Sequence, residues 1–287
     1  MQYCINGKTI PIGLLGYPIR HSRSPHMHNT AFQYLGLNYV YLAFEATEDS
    51  LAEAVKAMRV LDAAGFNVTM PNKQKVIPLL DEISPEAQLI GSVNTVRNDN
   101  GKLIGYNTDG RGYVKSLNEE GISIEGKKIV MVGAGGAARS VAIQLALDGA
   151  AELIIMNRSI EPAEEICNTI RANISNCKVE ALELSNNILK QKLQEADMLI
   201  NSTPLGMHPH EDKSIIPDPE MLHPKLIVSD LIYDPVKTKL LEMAEQVGCK
   251  TINGLGMMIW QGALAFKIWT GVEMPTDYIK EIIFSNK

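Results

Sequence analysis

Val130-Met-Val-Gly133-Ala-Gly135-Gly136-Ala137-Ala138 runs from an apolar strand through a glycine turn into an amphipathic helix. The spacing is G-x-G-x-x-G/A, in which each small residue has its own task. Gly133 makes the tight turn, Gly135 lets the backbone come close to a pyrophosphate, and Ala138 lets the helix lie on the strand. The first N–H groups of such a helix have no partner inside it and face an anion. The stretch therefore reads as a dinucleotide-binding turn. An NAD site places Asp or Glu at the end of the next strand, against the ribose 2′-OH. Here that strand ends in Met156-Asn157-Arg158-Ser159, without a carboxylate. Arg158 suits a 2′-phosphate through its planar fork, which leans the reading to NADP. The plainer alternative is a solvated surface charge stacking on the adenine.

Outward from this turn, short apolar runs alternate with amphipathic stretches, the mark of α/β architecture. Strands are expected at 128–132, 152–156, 178–182, 198–201 and 226–229. Helices are expected at 137–147, 162–172, 188–195 and 236–246, and again from Gly254 onward. The first half is less regular. Strands at 11–15, 39–44 and 66–69 alternate with helices at 25–35 and 50–61; short helices at 73–80 and 85–90 lead to strands at 93–97 and 102–106. Asn98-Asp-Asn-Gly101 has the composition of a hairpin turn. A boundary within 110–125 makes two domains with a cleft between them the economical arrangement. Residues 1–110, completed by helices at 255–287, would form an α/β substrate domain, and 111–254 a Rossmann-like domain.

The 287 residues are 45% hydrophobic and 21% charged, with net charge −6. That composition buries a core and lacks the basic footprint of a nucleic-acid or anionic-membrane binder. The longest uncharged stretch, 251–266, is too short to span a bilayer. The N-terminal residues lack the basic and apolar regions of a signal peptide. Cys4, Cys167, Cys177 and Cys249 are far apart, without C-x-x-C, as expected of buried thiols in a reducing cytoplasm.

Several side chains outside the glycine turn can carry chemistry. Ser22 and Ser24 sit two residues apart where a helix begins, so both hydroxyls could meet one carboxylate. Spacing alone favours the simpler reading, with Ser24 as cap and Pro25 as first helical residue. Lys73 closes the polar loop Asn67-Val-Thr69-Met-Pro71-Asn-Lys73; it is either a surface charge or an ammonium held beside a reacting carbonyl. Asp109, in Gly105-Tyr-Asn107-Thr108-Asp109-Gly110, is either a helix cap or the acid partner of Lys73. His26 and His28 face different sides of one helix and make poor common ligands. His208-Pro-His210-Glu-Asp212 lacks a further element to complete a metal set. No metal site is expected. Nothing has the pattern of a nucleophilic Ser or Cys.

Taken in order, the motifs resemble the shikimate dehydrogenase family over nearly the whole chain. They are GYPIRHSRSP (16–25), NVTMPNK (67–73), GSVNT (91–95), GYNTD (105–109), GAGGA (133–137), NR (157–158), NSTPLGM (201–207), DLIYDP (230–235) and GMMIWQGA (256–263). The C-terminal part is most similar to the branch of quinate/shikimate dehydrogenases. The resemblance implies a cytoplasmic enzyme of aromatic amino acid (chorismate) biosynthesis. It implies reversible hydride transfer between C3 of shikimate and C4 of a nicotinamide, with NADP or NAD as cofactor. By that similarity Lys73 and Asp109 are the catalytic pair. Ser22 and Ser24 hold the substrate carboxylate, Thr69, Asn94, Asp109 and Gln261 hold ring hydroxyls, and Asn67 and Tyr233 belong to the same substrate site. The cofactor would be held by Gly133, Ala134, Gly135, Gly136, Ala137, Asn157, Arg158, Thr203, Leu231, Gly254 and Met257. The partners implied are small molecules, with no nucleic acid or membrane, in a monomer or homodimer.

Two positions depart from the family pattern. NADP-preferring members carry a second basic residue four positions after the one matching Arg158, and here that residue is Pro162. NAD-using relatives often carry an acid where this chain has Ile160. Some quinate-preferring relatives have threonine at the second serine, so Ser24 leans to shikimate, although a difference this small is worth only about 1–3 kcal/mol. The alternatives are a dehydrogenase of dual substrate and cofactor use, and a dinucleotide-binding regulator without turnover, against which Lys73 and Asp109 both count.

Overall fold

The structure is a computed structural model that describes residues 5–284. Cys4 and the extreme N-terminal residues lie outside the described residues. The chain divides into two compact units, one formed by residues up to Thr108 with those from Ile259 on, the other by Asp109–Met258.

The first unit holds β1 (Ile10–Gly16), α1 (Ser24–Leu35), β2 (Tyr39–Glu45), α2 (Leu51–Val60), β3 (Gly65–Val68), β4 (Glu82–Ile83), α3 (Pro85–Ile90), β5 (Thr95–Asp99) and β6 (Lys102–Tyr106). Its six strands lie in the order β2-β1-β3-β5-β6-β4. β1 is parallel to β2 and β3, whereas β3–β5 and β5–β6 are antiparallel. The β5–β6 hairpin turns through Asn100 and Gly101, both at positive φ, as its composition predicts. The helix expected at 73–80 is reduced to one 3₁₀ turn, Ile77–Leu79. Pro78 offers no N–H, and the Lys73 carbonyl is taken by the loop before β5, whose Val93 N–H donates to it at 2.9 Å.

The second unit holds α4 (Asp109–Glu119), β7 (Lys128–Val132), α5 (Gly136–Leu147), β8 (Glu152–Asn157), α6 (Ile160–Asn173), β9 (Lys178–Glu183), α7 (Asn186–Leu193), β10 (Met198–Asn201), β11 (Ile227–Asp230), α8 (Lys239–Val247) and β12 (Lys250–Ile252). All six strands are parallel, in the order β12-β11-β10-β7-β8-β9. Each is reached by a crossover, and the winding reverses between β7 and β10, the switch point of a doubly wound sheet. A sheet covered on both faces demands apolar residues at every position. Accordingly Ile129–Val132, Leu153–Met156 and Met198–Ile200 are almost wholly enclosed. Residues 110–125, read from composition as a boundary, are mainly the helix α4. Its Gly110 is required because a Cβ there would lie 2.4 Å from the Ser140 carbonyl oxygen on α5.

Helix α9 (Leu255–Thr270) runs across the division, and α10 (Thr276–Phe284) follows it within the first unit. The Trp269 indole N–H of α9 donates to the Val96 carbonyl at 2.9 Å. Gly65 leaves the space for this indole, since a Cβ there would fall 2.5 Å from its nitrogen. On the same side of the unit, His28 of α1 is fully buried and stacks on Tyr41 at 4.5 Å between ring centroids. Phe266 and Trp269 border the same ring. Neither ring nitrogen of His28 has a hydrogen-bond partner, and burial lowers its pKa to about 3. His28 is thus a neutral ring of the core.

Candidate active site

In the second unit the glycine turn lies at the switch point. Gly133 takes φ +108°, and a Cβ there would come within 2.6 Å of the Ser202 hydroxyl after β10. That hydroxyl donates to the Val132 carbonyl at 2.8 Å, fastening the two strand ends together. Nothing stands within 4 Å of where a Cβ of Gly135 or Gly136 would be, so the backbone is open to a ligand. Helix α5 begins there with no side-chain cap and no acid in its first turn. Uncapped N–H groups beside exposed glycine backbone fit the pyrophosphate of a dinucleotide. Ala138 is fully buried against the sheet. Asn157 ends β8 and the exposed Arg158 follows it, and the Asn157 amide donates to the Ser159 carbonyl at 3.0 Å. Pro162 lies in the first turn of α6 and offers no second cation.

Beyond β10 and β11 a buried polar clamp sets the remaining loops. The Asp230 carboxylate is fully enclosed and accepts hydrogen bonds from the Asn201 amide (3.0 Å), the Ile232 N–H (3.0 Å) and the Thr238 hydroxyl (2.7 Å). Desolvation nevertheless raises its pKa above the ordinary carboxylate value. The Asn201 side-chain oxygen accepts from both the N–H and the hydroxyl of Thr203. Leu231 donates its N–H to the Asn201 carbonyl, and Gly254 donates to the Ile232 carbonyl. Gly254 passes so near this loop that a Cβ would lie 2.1 Å from the Leu231 oxygen. Thr203, Leu231, Tyr233, Gly254 and Met257 therefore sit on or beside one clamp. Asp230, inside DLIYDP, and Thr238 hold this loop through partners that no local sequence pattern reveals.

In the first unit a second network links the expected substrate residues. The Asn94 amide donates to the Thr108 hydroxyl at 2.9 Å, and the Thr108 N–H donates back to the Asn94 side-chain oxygen at 2.9 Å. This pair fixes the strand end from which Asp109, itself buried, opens α4. The Asn67 amide donates to the Asn94 carbonyl (2.9 Å) and the Thr95 hydroxyl (3.0 Å), while its oxygen accepts from the Tyr41 hydroxyl at 2.7 Å. Thr69 and Lys73 flank the turn in which the Asn72 N–H donates to the Thr69 carbonyl. Arg23, not Ser24, takes the cap position of α1, and no side chain caps this helix. The capping reading of Ser24 therefore gives way, and the half-buried Ser24 hydroxyl meets the Tyr41 phenol. The Ser24 N–H donates to the Ser22 hydroxyl at 3.3 Å. Gln261 lies on α9, one turn after Met257. Tyr41, Thr95 and Thr108 were not foreseen, because their partners lie 14 to 28 residues away in sequence.

A doubly wound parallel sheet with an uncapped glycine turn at its switch point defines a dinucleotide-binding enzyme. Its sequence matches three family models: the shikimate dehydrogenase substrate binding domain over residues 14–96, shikimate / quinate 5-dehydrogenase over 115–213, and the shikimate 5′-dehydrogenase C-terminal domain over 254–284. It is 68% identical to a shikimate dehydrogenase (NADP(+)) of Alkaliphilus metalliredigens, across 99% of this chain and 100% of that one. The chain belongs to the shikimate dehydrogenase family and is an oxidoreductase. Among solved structures it is similar to the shikimate 5-dehydrogenase of Listeria monocytogenes in complex with shikimate and NAD, with TM-score 0.94, 50% identity and 98% of each chain covered. It is also similar to a quinate dehydrogenase of Corynebacterium glutamicum in complex with NAD, with TM-score 0.87, 31% identity, and 95% of this chain and 98% of that one covered. Among the described residues, no helix is long and apolar enough to cross a membrane.

Proposed function

We propose that the protein interconverts shikimate and 3-dehydroshikimate with NADP(H), and that Lys73 and Asp109 are its proton-transfer pair. What carries this reading is the 68% identity, over nearly the full length of both chains, to a relative named for that reaction. When bound at the glycine turn, the dinucleotide would supply a hydride to C3 of the ketone, or take one up in the reverse direction. On reduction, the Lys73 ammonium gives its proton to the C3 oxygen as charge develops there, and on oxidation Lys73 takes that proton back. The Asp109 carboxylate orients the ammonium and accepts from a neighbouring ring hydroxyl. Ser22 and Ser24 donate to the substrate carboxylate, while Thr69, Asn94 and Gln261 hold ring hydroxyls, so that the ring is held in one orientation. Tyr233 borders the substrate.

The turn 133–137 holds the pyrophosphate, Asn157 and Arg158 the adenosine end, and Thr203, Leu231, Gly254 and Met257 the nicotinamide end. The two domains implied are a substrate domain and a cofactor domain. The protein works in the cytoplasm as a monomer or homodimer, without nucleic-acid or membrane partners, and feeds chorismate formation.

A broader reading, with quinate and NAD also used, is favoured by Pro162, which leaves Arg158 as the sole cation offered by that segment. Initial rates with shikimate and quinate, each with NADP⁺ and NAD⁺, separate the two. Shikimate with NADP⁺ is expected to be fastest. Comparable rates with quinate or NAD⁺ would establish the broader reading, and no turnover in any combination would refute both. Lys73→Ala should abolish turnover while the cofactor still binds.

A further inference from the structure

We infer that Tyr41, which does not touch the substrate in this reading, is a positioning residue that fixes the side chain of Asn94 through a directed chain of hydrogen bonds. The inference rests on the reading that Asn94 holds a substrate hydroxyl. Tyr41 is the one enclosed residue of β2, with 0% exposure. Three contacts remove its freedom. Asn29 of α1 clamps its backbone, accepting from the Tyr41 N–H at 2.8 Å and donating to its carbonyl at 2.9 Å. His28 stacks flat on its ring, with 12° between the planes. Trp269 tilts against the same ring at 6.0 Å. Burial raises the phenol pKa, so the group stays protonated and donates.

The direction of every bond after that follows from donor chemistry. The Tyr41 O–H donates to the Asn67 side-chain oxygen at 2.7 Å, which decides how the Asn67 amide is turned. Both hydrogens of the Asn67 amide nitrogen are then committed, one to the Asn94 carbonyl at 2.9 Å and one to the Thr95 hydroxyl at 3.0 Å. The Thr95 oxygen, having accepted, donates its own hydrogen to the Asn94 side-chain oxygen at 3.0 Å. Asn94 is thereby held with its oxygen toward Thr95 and the Thr108 N–H and its nitrogen toward the Thr108 hydroxyl. Asn67 has no donor left for a substrate, and both hydrogens of its amide serve as links in this chain. Without the phenol, the two orientations of the Asn67 amide become closer in energy. The chain then loses its direction, and Asn94 no longer presents one face.

The test is a double-mutant cycle on the full-length protein, with Tyr41→Phe, Asn94→Ala and the pair. Tyr41→Phe keeps the ring and its stacking but deletes both the donor to Asn67 and the phenol's contact with Ser24, so Thr95→Val, which leaves Tyr41 and Ser24 in place, is the discriminating variant. Tyr41→Phe is expected to raise the shikimate KM roughly five-fold with little change in kcat and none in the NADP⁺ KM, the size expected for one neutral hydrogen bond. In the Asn94→Ala background the same change should raise the shikimate KM by clearly less, any remainder being the lost Ser24 contact. Thr95→Val, which cuts a later link at nearly constant shape, should reproduce the split and be silent in the same background; it also serves if Tyr41→Phe does not fold. An unchanged KM in Tyr41→Phe, or an equal rise in both backgrounds, would overturn the inference. If Asn94→Ala itself leaves the shikimate KM unaltered, it is the substrate role of Asn94 that fails, a distinct result.

Discussion

His28 makes the acid sensitivity of the substrate-side unit calculable. The folded protein buries the imidazole with both ring nitrogens unpartnered and lowers its pKa from 6.5 to about 3. In the unfolded chain it protonates with its ordinary value. Between those two values only the unfolded state gains the proton, so stability falls as pH falls, with a limiting slope of about 1.4 kcal/mol per pH unit. Between pH 7.5 and pH 5 this one group removes about 2 kcal/mol. His28→Leu removes the titration. At pH 7.5 the lost ring stacking and the removed desolvation cost roughly offset each other, to within about 1–2 kcal/mol. At pH 5 the variant should have gained about 2 kcal/mol relative to the parent. Urea unfolding followed by tryptophan fluorescence measures this directly, because both tryptophans, Trp260 and Trp269, belong to the unit that holds His28. Comparing the two proteins at each pH cancels the carboxylates that also titrate. A gap between parent and variant that is the same at both pH values would refute the reasoning.

Gly133→Ala should lower Tm and raise the cofactor KM, because a φ of +108° and a Cβ contact of 2.6 Å with Ser202 both oppose it. Its cost is about 2–4 kcal/mol, read by thermal unfolding. Arg158→Ala is expected to raise the NADP⁺ KM by roughly 10- to 100-fold, the range for charged hydrogen bonds, while leaving the NAD⁺ KM within about two-fold. Asp230→Ala strips the acceptor from three donors and should cost about 3 kcal/mol in unfolding experiments, with a raised cofactor KM.

The parallel sheet was legible because strands buried on both faces leave no room for polar alternation, so 129–132 and 153–156 appear as unbroken apolar runs. Helix α4 was not. Gly110 and Gly112 depress its helix propensity, and at Gly110 the reason is the close approach to Ser140, a tertiary fact. The segment 73–80 goes the other way, with helical composition overridden by a hydrogen bond from Val93 in the loop before β5. At the site, Lys73, Asp109 and the glycines stood out as residue types suited to a task. Asp230, Thr95 and Tyr41 did not, because their importance lies in partners brought together by folding; Asp230 and Thr95 fell inside motifs that drew attention, and Tyr41 in none.

The order in which the chain is made bears on the divided first unit. Its sheet and α1 are synthesised first, yet the indole that caps Val96 and fills the space over Gly65, and the Phe266 ring beside His28, arrive only after all of Asp109–Met258 has been translated. The earlier unit waits with an apolar face uncovered for some 150 residues of synthesis, roughly 8–30 s at ordinary elongation rates. Stop codons placed just before α9 should therefore yield insoluble product even though every residue of the dinucleotide turn has been made.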